Sequence, residues 1–105
     1  QYLSAIKYLE SIDFEGISEN EKKKLIYLYS ESLYGLGKYE RVVGILLDAL
    51  ELTQTDEMLF LLGLSSLKCN DKKNAINAFD ELVKTFPESE YSFLAKLQSR
   101  AIKRR

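Results

Sequence analysis

The stretch AINAFDELVKTFP, residues 75–87, decides how the chain folds. Ala75, Ile76, Phe79, Leu82, Val83 and Phe86 recur at the three-and-four spacing of a helix with one apolar face, and such a face requires a neighbour. Pro87 has no N–H and restricts the residue before it, so the helix is expected to stop just after Phe86. Beyond this stretch the chain has one proline and five glycines in 105 residues, and strand alternation is nowhere sustained. That composition predicts an all-α chain.

Five further helices follow from the same periodicity. Tyr2, Ala5, Ile6, Leu9 and Ile12 mark the first, which runs into Asp13, Gly16 and a polar loop. Ser18 followed by Glu21 is a capping box that starts the second, with Leu25, Ile26, Leu28, Tyr29, Leu33 and Leu36 as its apolar positions and Gly35 and Gly37 as its stop. Val42, Val43, Leu46, Leu47, Ala49 and Leu50 form the face of a third, and a fourth is expected from about Glu57 to Cys69. Asn70 and Asp71 turn the chain into the fifth helix, the stretch quoted above. Ser89 can cap a sixth from about Glu90 into Arg104, with Tyr91, Leu94, Ala95, Leu97, Ala101 and Ile102 expected to face inward. Six helices with short connections predict antiparallel neighbours, most simply three consecutive hairpins.

Several activities are argued against at this level. The chain has no histidine, the commonest general base. Its single cysteine, Cys69, excludes an internal disulfide and leaves too few thiolates for a structural zinc site, so no metal or cofactor is expected. Gly35-Leu36-Gly37 lies at a helix end, not a helix start, and is too short for a phosphate loop. Acidic pairs such as Asp80-Glu81 sit side by side on a helix and do not face one another. No catalytic residue is therefore assigned. No apolar run is long enough to span a membrane. The chain begins at Gln1 without an initiator methionine or a signal-peptide pattern, which reads as an excised segment or a processed product.

Formal charge is −1, unlike the basic field of a general nucleic-acid binder, but it is unevenly spread. Residues 1–60 carry six basic and eleven acidic side chains, net −5, whereas residues 61–105 carry nine basic and five acidic, net +4. Lys96, Arg100, Lys103, Arg104 and Arg105 crowd the end of the last helix. Cations there stabilise a helix C-terminus by about 0.3–1 kcal/mol, which accounts for them without a phosphate ligand.

Self-similarity separates a plain bundle from a repeat array. The frame Leu59, Leu62-Gly63, Ala75, Phe79 and Pro87 resembles the tetratricopeptide repeat, with sixteen residues from Leu59 to Ala75 and twelve from Ala75 to Pro87. Displaced by 33 residues, the frame falls more weakly on Ile26, Tyr29-Ser30, Val42, Leu46 and Gln54. Tyr2, Ala5, Ile6 and Leu9 repeat the spacing of Tyr39, Val42, Val43 and Leu46. The departures are Ser66, where the pattern has a tyrosine, and a loop from Phe14 to Asn20 about three residues longer than the frame. The resemblance implies a right-handed solenoid of stacked antiparallel helix hairpins. Residues 1–17 would be the second half of a truncated repeat, 22–55 and 56–88 whole repeats, and 89–105 a terminal helix, either the first half of another repeat or a cap. A narrower resemblance lies in Phe86-Pro87-Glu88-Ser89-Glu90-Tyr91 with Ala95. It looks like the junction between tetratricopeptide repeats of bacterial envelope proteins, although cap chemistry explains Pro87 and Ser89 equally well. The compartment stays open between a bacterial periplasm or cell envelope and the cytoplasm.

The resemblance also implies a function carried by shape: a concave wall made by the first helix of each pair, in which a peptide or partner helix lies. Residue by residue, the wall takes Lys24, Tyr27, Glu31 and Tyr34 from the second helix. The fourth gives Glu57, Phe60, Leu64 and Leu67, and the sixth gives Tyr91, Leu94 and Gln98. Tetratricopeptide proteins that hold chaperone tails use a Lys, Asn and Arg clamp on this wall. Here Tyr, Glu, Phe and Leu stand instead, suiting an apolar protein or peptide partner. The competing reading is that several of these side chains pack between adjacent helices. An alternative function is structural, a segment of a longer array whose ends mediate self-association or docking to flanking domains.

Overall fold

In the computed structural model the described residues are 1–13 and 15–104. Phe14, in the lengthened loop, and Arg105, in the terminal basic cluster, lie outside them. Six α-helices follow in order: α1 Tyr2–Glu10, α2 Glu19–Gly35, α3 Tyr39–Leu52, α4 Asp56–Lys68, α5 Lys72–Thr85 and α6 Glu90–Lys103.

Their ends have local causes. Ser18 Oγ accepts from the Glu21 N–H while the Glu21 carboxylate accepts from the Ser18 N–H, so the capping box is formed. Thr55 caps α4 through the Met58 N–H, Asp71 caps α5 through the Asn74 N–H and Ser89 caps α6 through the Tyr91 N–H. Gly37 turns the chain out of α2 at φ 79°, a conformation that costs little only without a Cβ. Asn70 takes the corresponding left-handed position after α4 at φ 59°. α5 ends at Thr85 with Phe86 as its cap residue, one residue before Pro87. α1 stops at Glu10, so Ile12 falls outside the helix, half-buried.

Each helix packs on the next in sequence, and α4 additionally touches both α2 and α6. Among the described residues no odd-numbered helix touches another odd-numbered one. The even-numbered helices therefore stand closer together, as on the inner side of a curved stack. α4 lies at the centre, with Met58, Leu59, Leu61, Leu62, Gly63, Ser65 and Ser66 all buried. A helix enclosed on several sides has no polar face to spare, which accounts for its apolar make-up all round.

Two apolar clusters meet at α4. One gathers Ile6, Leu33, Val42, Leu46, Met58 and Leu61 across the first four helices, together with Ala78 of α5. The other gathers Leu59, Ala75, Phe79, Leu82, Ala95 and Ile102 across the last three. Phe79 is fully buried, its ring lying directly over Gly63, where a Cβ would collide with it.

The faces of two helices differ from expectation. In α6 the inward residues are Ser92, Ala95, Ser99 and Ile102, whereas Leu94, Leu97 and Ala101 are exposed. In α2 Ser30, Ser32 and Leu33 are buried, while Leu28 and Leu36 point to water. The interaxial distance between packed helices, about 8–10 Å, depends on the side chains at the contact, and small serine and alanine at these positions suit the closer end of it.

Candidate functional site

Ten of the eleven wall residues divide into three groups, and the eleventh, Glu31, is exposed on α2 one turn after Tyr27. The first comes from the start of α2 and the start of α4, where Lys24 and Tyr27 face Glu57 across a cleft of about 630 Å³. Asn20, Lys23, Leu28 and Thr55 complete its lining. Lys24 and Glu57 are exposed at its rim and Tyr27 is half-buried. Burial, then the Glu31 carboxylate, Tyr91 and Glu57, hold the Tyr27 phenol well above its ordinary range. Its hydroxyl is thus a neutral donor and acceptor at any physiological pH.

A second group extends the cleft into an aromatic floor. The Phe60 ring lies 5.2 Å from Tyr91 and 5.8 Å from Phe79, both in tilted geometry. Phe79 anchors this row in the core, and Phe60 and Tyr91 remain half-buried at its surface. Offset and tilted rings at such separations attract through their quadrupoles beyond simple area burial. Tyr27 of α2, Phe60 of α4 and Tyr91 of α6 are thereby brought to one side of the molecule, although sixty-four residues separate the first from the last.

The third group turns away from the cleft or into the packing. Tyr34 sits edge-on against Tyr39 of α3 with ring centroids 5.1 Å apart. Leu64 and Leu67 pack partly buried against the second apolar cluster. Gln98 is half-buried and Leu94 is exposed. Sequence reasoning missed Asn20, Lys23, Leu28 and Thr55. The first two lie one helical turn before Lys24 and Tyr27, so extending the same stripe backwards would have found them.

Between α5 and α6 a second, more basic cleft of about 370 Å³ is lined by Lys84, Lys96, Arg100 and Lys103 around Asp80. Ser99 donates to Asp80 at 3.0 Å and Lys103 pairs with the same carboxylate at 3.4 Å. Asp80 thus faces α6 and not a second catalytic carboxylate. The Cys69 thiol is pushed up by burial and then by Glu40 and Asp71, away from the thiolate form a nucleophile needs. Among the described residues no three His, Cys, Asp or Glu side chains converge as a metal site, and no helix is long and apolar enough to cross a membrane.

A family model described as anaphase-promoting complex, cyclosome, subunit 3 matches residues 1–82. No curated protein matches the chain. The match gives no support to the narrower resemblance to bacterial envelope proteins. The Phe86 to Tyr91 segment and Ala95, which carry that resemblance, lie outside the matched residues, and the helix ends there are accounted for by their caps.

Proposed function

Since the chain belongs to the anaphase-promoting complex, cyclosome, subunit 3 family, whose repeats are of the tetratricopeptide type, we propose that its even-numbered helices form a groove for a protein partner. The family is one of non-catalytic scaffolds, and the chain is a protein–protein interaction module. In the reading proposed here, residues 22–55 and 56–88 are whole repeats, α1 is the second half of a preceding one and α6 the first half of the next, or a cap. The pattern in which α4 touches α2 and α6 while odd-numbered helices stay apart supports this phasing.

The observation that carries the groove is the cleft at Lys24, Tyr27 and Glu57, continued by Phe60 and Tyr91. Lys23 and Lys24 on the α2 rim and Glu57 on the α4 rim frame the cleft beside the aromatic floor. That combination suits a peptide or amphipathic helix with an apolar anchor and charges of both signs beside it. Tyr34, Leu64 and Leu67 serve mainly to hold the helices that carry the floor. By its family's description, the partner would be a protein within a multi-subunit assembly.

Peptides selected from a random displayed library on the wild-type chain provide the test. Tyr27→Ala and Glu57→Lys should each weaken the selected peptides about tenfold or more while circular dichroism stays unchanged. Unaltered binding by both variants would remove the groove from consideration.

A further inference from the structure

The ionised side chains around the cleft are sorted by sign. At the start of α2, Glu19 pairs with Lys22 at 3.4 Å, and the Glu21 carboxylate is taken up in the capping box with Ser18. Lys23 and Lys24 line the cleft beside them, and among the described residues neither forms a salt bridge. That corner is left with two unmatched cations.

From Tyr27 onward the sign reverses. Glu31 follows one helical turn later on α2, Glu57 lines the opposite side of the cleft on α4, and Glu90 precedes Tyr91 on α6. All three are exposed, and among the described residues none forms a salt bridge. Asp56 differs, since its carboxylate accepts from the Ser89 hydroxyl. Residues 42–67 and 85–95 contain no lysine or arginine, so the starts of α4 and α6 offer carboxylates alone. The Tyr27 phenol registers the same boundary. After burial, the charges acting on it are those of Glu31, Tyr91 and Glu57, and every one of them pushes its pKa upward. The potential over the aromatic floor is therefore negative, although Lys24 stands one turn away.

We propose, building on the groove described above, that it selects its partner by a pair of opposite charges flanking the apolar anchor. An extended segment lays an acidic side chain over Lys23 and Lys24, an apolar one on Phe60, and a basic one beside Glu57 and Glu90. α2 touches α4 and α4 touches α6, so a segment crossing the wall meets these helices in turn. Packed helices lie about 8–10 Å apart and an extended chain advances about 3.3 Å per residue, which gives about three residues for each helix crossed. The acidic and basic positions are accordingly about three to six residues apart. A segment with like charges on both flanks meets one rim of its own sign and is rejected there. The basic residue gains further from the faces of Phe60 and Tyr91, which attract a cation through their quadrupoles.

The tightest peptide selected on the wild-type chain provides the probe. It should carry an acidic and a basic residue on opposite sides of its apolar anchor. Two synthetic forms, one with both flanks acidic and one with both basic, should each bind the wild-type chain about tenfold more weakly by fluorescence anisotropy. Added salt should weaken the parent peptide more than its anchor alone. Lys23→Glu with Lys24→Glu should turn the preference toward the form with two basic flanks. Glu57→Lys with Glu90→Lys should turn it toward the form with two acidic flanks, circular dichroism confirming that each variant folds. A selected peptide without the two opposite flanks overturns the proposal. So does equal binding of all three forms to the wild-type chain; if Tyr27→Ala still abolishes that binding, the groove stands and only its selection by charge falls. Binding indifferent to Tyr27→Ala removes the groove itself, and the charge selection with it.

Discussion

At Gly63 the absence of a side chain allows α4 and α5 to close, because the Phe79 ring occupies the space a Cβ would take. Phe79 is fully buried and cannot swing away without leaving the core. Gly63→Ala is therefore expected to lower stability by about 1–3 kcal/mol, the usual cost of overpacking, in a urea unfolding series with unchanged m-value. An unchanged midpoint would mean that the ring yields freely. Tyr27 makes a different prediction. Burial and then Glu31 hold its folded pKa above the ordinary 10.0, so the folded state keeps a proton that the unfolded chain releases near that pH. Its stabilising contribution is complete below about pH 10 and is lost as pH rises through the folded value, because the unfolded state there binds fewer protons. Tyr27→Phe should flatten the alkaline decline in stability, and an identical decline would remove Tyr27 as its source. Both residues were named in the sequence, but only one role was legible. Gly63 fell on a repeat position, whereas the proximity of Tyr27 to Tyr91 depends on how three helices stack.

Ser89 joins two helices at their starts. Its hydroxyl accepts from the Tyr91 N–H at 3.1 Å and donates to the Asp56 carboxylate at 2.6 Å, tying the first residue of α4 to the cap of α6. Ser18 caps α2 with bonds that stay within residues 18–21. Ser18→Ala should cost about 1 kcal/mol and Ser89→Ala measurably more, up to about 2 kcal/mol, in thermal unfolding. Equal losses would show that the bond to Asp56 contributes nothing to stability. Element by element the chain was readable, since Ser18, Asp71, Ser89 and Pro87 each act within one helical turn of their own position. The inward face of α6 was not readable. Leu94 and Leu97 are as apolar as a core face requires, yet Ser92 and Ser99 are the buried positions, where small side chains suit close helix packing.

Across the whole molecule stability is unevenly distributed. α4 is contacted by α2, α3, α5 and α6, whereas α1 touches only α2 and buries just Ile6 and Leu9. In arrays whose units contact only their neighbours, local opening follows the number of such interfaces. Hydrogen exchange should accordingly be fastest in the amides of α1 and slowest in those of α4, and equal protection of both would show that the array opens as one unit. The sequence by itself determined six helices and the chemistry of their caps, because each depends on spacings of three or four residues or on one residue's backbone chemistry. Tertiary structure alone decided which apolar residues are covered and that Tyr27, Phe60 and Tyr91 share one side. Those outcomes depend on interhelical distance and curvature, which arise from the summed packing of all the helices and are encoded at no single position.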